Sequence, residues 1–156
     1  MKSTILAAFI ASAAAMPALA ETTVRLEVFD RKEVIADTGE AEIVYAPIET
    51  AVPGDRVTYR ITLTNTDDVP ATTVGMTLPV DPSILVEPLS ISGDAQIEAL
   101  FSVDGGEQFS PFSELVVKTE TGLRPATPDD LTHMRIGLEE IPANTEISVE
   151  YAASVE

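Results

Sequence analysis

Apolar and polar residues alternate one by one along most of this chain, and the three-to-four spacing of an amphipathic helix is nearly absent. The clearest run is Arg56 to Asn65, RVTYRITLTN. Val57, Tyr59, Ile61 and Leu63 fall on one side and Arg56, Thr58, Arg60, Thr62 and Thr64 on the other, which predicts a half-buried strand with one wet face. Thr145 to Ser154 repeats the pattern with Ile147, Val149 and Tyr151 inward, and His133 to Leu138 does so with Met134, Ile136 and Leu138. Ile97, Ala99, Phe101 and Val103 form a further inward series, with Leu100 on the opposite face in need of cover. Val24, Leu26 and Val28 open the chain in the same manner, and Val74, Met76 and Leu78 give one more row.

Turn residues punctuate these runs. Pro53-Gly54 suits the two central positions of a type II turn leading into the strand at Arg56. Asp104-Gly105-Gly106 predicts a tight hairpin tip, where glycine supplies the positive φ angles. Most of the prolines between Pro79 and Pro142 lie between runs, stopping strands without removing a ladder donor. Thr127 to Asp130 predicts a single helical turn, since Pro128 and two acidic residues suit a helix N-terminus. Many short strands with Pro and Gly between them argue for a β-sandwich.

The first twenty residues break the alternation. Lys2, the apolar run Ile5 to Ala15 and the small residues of Ala18-Leu19-Ala20 have the layout of a secretory signal peptide cleaved between Ala20 and Glu21. The run is short for a membrane span, and Pro17 interrupts it. Residues 1–20 are therefore expected to be a leader, and 21–156 one exported domain without a membrane span. A periplasmic or extracellular location follows, and the short leader leans toward a Gram-negative envelope. Taking 20 from 156 residues leaves 136, enough to bury roughly two thirds of the unfolded surface. With no Cys, packing and hydrogen bonds hold such a domain together, and thiolate nucleophiles, thiolate zinc sites and iron–sulfur clusters are excluded.

Charge narrows the partners. There are 26 acidic and 9 basic residues, and losing Lys2 takes the net charge from −17 to −18. Nucleic acid and anionic lipid demand Lys and Arg, so neither is an expected partner. Acidic residues cluster at Asp67-Asp68, Asp104 with Glu107, Asp129-Asp130 and Glu139-Glu140, all in or near predicted loops. None has the spacing that wraps oxygens around calcium, so the charge reads as a device for solubility and no metal or cofactor is expected. His133, the single histidine, alternates with Met134 and is expected to face outward. There is no G-x-S-x-G elbow, no S-x-x-K and no Trp to serve as a sugar platform, so no catalytic residue is assigned. Phe109, Pro111 and Phe112 read as a hydrophobic cap. Arg25, Arg31, Arg56 and Arg60 would form a small basic patch if their strands were neighbours, or else ion-pair partners on a wet face.

PGDRVTYRITLTNT followed by VPATTVGMTLP resembles the signature of the bacterial Ig-like conserved-repeat family known as domain of unknown function eleven. The matching features are Gly54-Asp55, Tyr59, Asn65, Ala71 to Leu78, and Pro79. FSVDGGEQF resembles a hairpin of that family, and the segment from Thr127 to Val155 resembles its closing strand pair, so the likeness runs from about Val52 to the C-terminus. Two departures stand out. Thr66-Asp67-Asp68 replaces a Gly often found after the Asn, and Arg135-Ile136 stands where Arg-Trp is common. The resemblance implies an Ig-like sandwich in a secreted or surface protein and carries over no catalytic residue.

The expectation is thus an all-β, Ig-like β-sandwich of about seven to nine strands. Its core should hold Val57, Tyr59, Ile61, Leu63, Met134, Ile136, Leu138, Ile147, Val149 and Tyr151. The expected function is a non-catalytic envelope module contacting proteins or glycans. The alternative is a periplasmic subunit or accessory factor of a surface assembly, pairing through an exposed strand edge.

Overall fold

A computed structural model describes residues 22–48 and 50–156; the expected leader and its cleavage site lie outside the described residues. Eleven strands and three single 3₁₀ turns follow one another among them. Strands β1 (Thr22–Ile35), β2 (Ala41–Pro47), β3 (Arg56–Asn65) and β4 (Ala71–Pro79) come first. The short β5 (Ile84–Val86) and β6 (Ser92–Gly93) precede β7 (Ile97–Ser102). A small hairpin, β8 (Val116–Thr119) and β9 (Gly122–Pro125), leads to β10 (His133–Ile141) and β11 (Thr145–Val155). The fold is an all-β sandwich. One sheet runs β2-β1-β3-β11-β5 with β6 also on β11, and the other runs β4-β10-β7, all pairs antiparallel.

The strand count exceeds the expected seven to nine because short pieces too brief to show periodicity pair locally. β5 and β6 are one edge interrupted by residues 87–91. Across the interruption Glu87 N–H donates to Ala152 O, and Ser90 Oγ accepts the Ala152 N–H at 2.8 Å, so a hydroxyl replaces the missing backbone partner. Gly93 resumes the edge where a Cβ would meet Ser148 O at 2.3 Å, so only glycine fits.

Nine of the ten expected core residues are buried, and the tenth, Tyr59, is partly buried and packed against the core. Tyr59 and Tyr151 are cross-strand partners whose rings stack at 4.9 Å. The outer face of β3 is less wet than alternation suggests. Thr58 and Thr62 are buried between paired strands, Thr58 flanked by Phe29 and Ala152 and Thr62 by Arg25 and Ser148. Asn65, at the end of β3, is fully buried. Its Nδ2 donates toward Val69 O, Ile141 O and Pro142 O, and its Oδ1 accepts from Asp67 N–H, tying two loops to the strand.

Pro53-Gly54 forms the expected turn, with Gly54 at φ 97° and Asp55 N–H donating to Val52 O. The tip at Asp104 is a wider loop than expected, because the ladder resumes only where Phe101 and Ser110 exchange backbone hydrogen bonds. On β4 the alternation slips. Thr73 has φ 56°, rare for a β-branched residue, and both Ala71 and Val74 face inward around it.

Candidate binding site on the open side of the sandwich

Most residues with expected chemistry serve the fold. Asp104 Oδ1 accepts from the Gln108 and Glu107 N–H groups and from Ser102 Oγ at 2.7 Å. The Gln108 amide and the Ser102 hydroxyl together hold its carboxyl below the usual range. Asp130 accepts a two-pronged Arg124 guanidinium at 2.6 and 2.7 Å and the Thr127 N–H at 2.8 Å, closing the predicted turn at Pro128–Asp130. Arg124, then Thr127, keeps it ionised well below the ordinary carboxylate range. Asp68 accepts from Asn144 Nδ2, and Glu139 and Glu140 lie exposed on β10 itself. Among the described residues no three His, Asp or Glu side chains converge as a metal cage would require.

The four arginines do lie on one face of neighbouring strands, but acids interleave them. Arg25 faces Glu27, Arg56 grips Glu87 through two contacts of 2.6 and 2.7 Å, and Arg60 pairs with Glu150 at 2.6 Å. Arg60 also lies over the Phe29 and Tyr45 rings. Arg31 has no ion-pair partner among the described residues and borders a polar hollow with Tyr45, Ser90, Ser92 and Glu150. His133 points away from the core, but the glycine loop half covers it: a Cβ on Gly106 would lie 3.3 Å from its ring. The expected aromatic cap divides. Phe112 packs edge-on against Phe101 in the core, whereas Phe109 turns outward under the Arg135 guanidinium at 3.8 Å.

Among the described residues, the side bounded by β1 and β4 joins two free strand edges to an uncovered apolar row. Thr22 to Glu27 of β1 pair only with β3, and β4 pairs only with β10, so each sheet presents a free edge here. The second sheet has no strand beyond β4 to cover β1. Val24 and Leu26, on the core side of β1, are consequently 57% and 53% exposed, although their partners Leu63 and Ile61 are both 1% exposed. β4 itself, ATTVGMTLP, carries no charge and has its single proline at its last position. Natural edges are normally blunted by charge, proline or cover, and from Val74 to Leu78 this one is not.

Beside it, between the sheets, opens an apolar cavity of about 280 Å³. Leu26, Leu78, Ile84 and Met134 line it together with the stacked rings of Tyr59 and Tyr151. Burial pushes both phenols above their ordinary pKa, Tyr151 far above. Asp81 stands among these lining residues with Oδ1 held by the Ser83 hydroxyl and amide at 2.7 and 2.8 Å. Those bonds, the hydroxyl first, keep it ionised. Sequence reasoning named Tyr59 and Tyr151 as core and missed both Asp81 and the bare β4 edge. The signal for the edge was present in nine uncharged residues, but which strand is an edge is a property of the topology.

No protein-family model, curated protein or solved structure matches this chain.

Proposed function

We propose that this protein is an exported, non-catalytic interaction module of the bacterial cell envelope that engages a protein partner by strand addition. The carrying observation is the open side, where an uncharged edge strand lies beside an uncovered apolar row. A strand laid along β4 would satisfy its free backbone groups and cover Val24 and Leu26 at once, and that combination is what strand addition requires. Membership of the Ig-like conserved-repeat family is part of the proposal. It is supported by the Gly54 turn and by the buried Asn65 that ends β3, both within the quoted motifs. Export rests on the first twenty residues. Intact-mass analysis of the secreted or periplasmic chain should give a mature N-terminus at Glu21, and a species retaining Lys2 would contradict it.

The interaction is tested by photo-crosslinking in intact cells, with the photoreactive residue at Leu26 or at Thr121 in the β8–β9 turn. The expected result is one discrete protein adduct from Leu26, stoichiometric with the chain, and none from Thr121. Adducts from Thr121 alone, or a diffuse smear from both positions, would defeat the proposal.

A further inference from the structure

We infer that the open side receives an extended segment of a different protein that carries a lysine or arginine at the end overlying Asp81. The inference rests on the strand-addition reading and adds the chemistry of the partner. Three features converge on it. The β4 edge offers hydrogen bonds but no charge, so it accepts an alternating strand without selecting one. The cavity beside Leu26 and the Tyr59–Tyr151 stack is apolar along its walls, with a fixed anion at Asp81. A long aliphatic stem ending in a cation fits that arrangement, burying its methylenes while keeping its head at the carboxylate.

Charge also decides between a second copy and a foreign partner. Acidic residues bracket β4, with Asp67 and Asp68 before it and Asp81 after it. A twofold antiparallel pair of β4 strands would set Asp81 of each copy against Asp67 and Asp68 of the other. The whole chain's net charge of −17 would oppose the same encounter. A segment with basic ends meets attraction at both. Of the protein's own cations, Arg56, Arg60 and Arg124 are already engaged with Glu87, Glu150 and Asp130.

The test is titration of the isotopically labelled mature chain with three synthetic peptides of alternating valine and threonine, flanked by two lysines, two serines or two glutamates. The backbone amides of Gly75 to Leu78 and the methyls of Leu26 report binding. The lysine peptide should move these signals and bind about five- to tenfold more tightly than the serine peptide, the glutamate peptide least tightly of all. The preference should collapse in 1 M salt, where screening acts within about 3 Å. Asp81→Asn, which keeps the Oδ1 acceptor for Ser83, should bring the lysine peptide toward the serine one and leave the serine peptide unchanged. Equal binding of all three peptides at β4 would overturn the inference while strand addition stood. Failure of every peptide to move the β4 amides would remove the underlying reading as well. A chain that sediments as a dimer with protected β4 amides would overturn the inference in favour of a second copy.

Discussion

β1 and β3 are neighbours with the same alternating pattern and opposite fates. Leu26 lies directly across from Ile61, and Val24 across from Leu63, all four on the core side of the sheet. The β3 residues are sealed and the β1 residues are more than half exposed. Nothing in the two strands' own composition accounts for this, since both rows are aliphatic. The difference lies one layer away: β10 packs over β3, whereas the second sheet has no strand beyond β4. Alternation states which way a side chain points, whereas burial depends on what the opposite sheet provides. The proposed partner would lie on this row, which points inward yet stays more than half exposed.

The largest effect that separates the two strands is on stability. Ile61→Ala should cost about 3 kcal/mol, because it leaves a cavity in a fully packed site. Leu26→Ala should cost less than about 1 kcal/mol, since half the side chain already meets water. Denaturant melts of the two variants check this. Equal losses would mean that the chain itself covers β1, and the contrast between the strands would vanish.

A smaller effect probes the cavity between them. Tyr151 is buried, with its phenol pKa raised above the ordinary 10, so its neutral form is favoured in the folded state. Its contribution is fully present below pH 10 and is lost as pH rises above that value, when the unfolded chain ionises first. Each such phenol steepens the alkaline loss by up to about 1.4 kcal/mol per pH unit. Tyr151→Phe should therefore flatten the decline in stability above pH 10 while changing little near neutrality. An unchanged alkaline slope would mean that the stacked pair is open to water and the cavity is not apolar.

Much of the fold was legible because strong alternation leaves a central strand few options. The limits of β3 at Arg56 and Asn65 follow from its pattern, as do the inward rows of β10 and β11. What pattern alone could not supply is relational. Tyr59 stacks on Tyr151 because β3 and β11 pair in one particular register, and that register joins residues far apart in the chain. The Asp104 loop is wide because its carboxylate collects amides from Glu107 and Gln108, a local contest that hairpin glycines alone do not reveal. The slip at Thr73 reverses a face without any residue that announces it. Asp81 reads as an ordinary turn carboxylate until the Ser83 turn sets it beside a cavity lined by six strands.

The β1–β4 side is uncovered in the isolated chain, and amide hydrogen exchange of the purified protein tests that most directly. Amides in the centre of β3 and β11 should exchange only through global unfolding. Amides of Val74 to Leu78 and of Thr23 to Glu27 that point away from their single partner strand should exchange orders of magnitude faster. Uniform slow exchange across all four strands would show that the chain itself already fills this side, leaving no free edge for a partner strand.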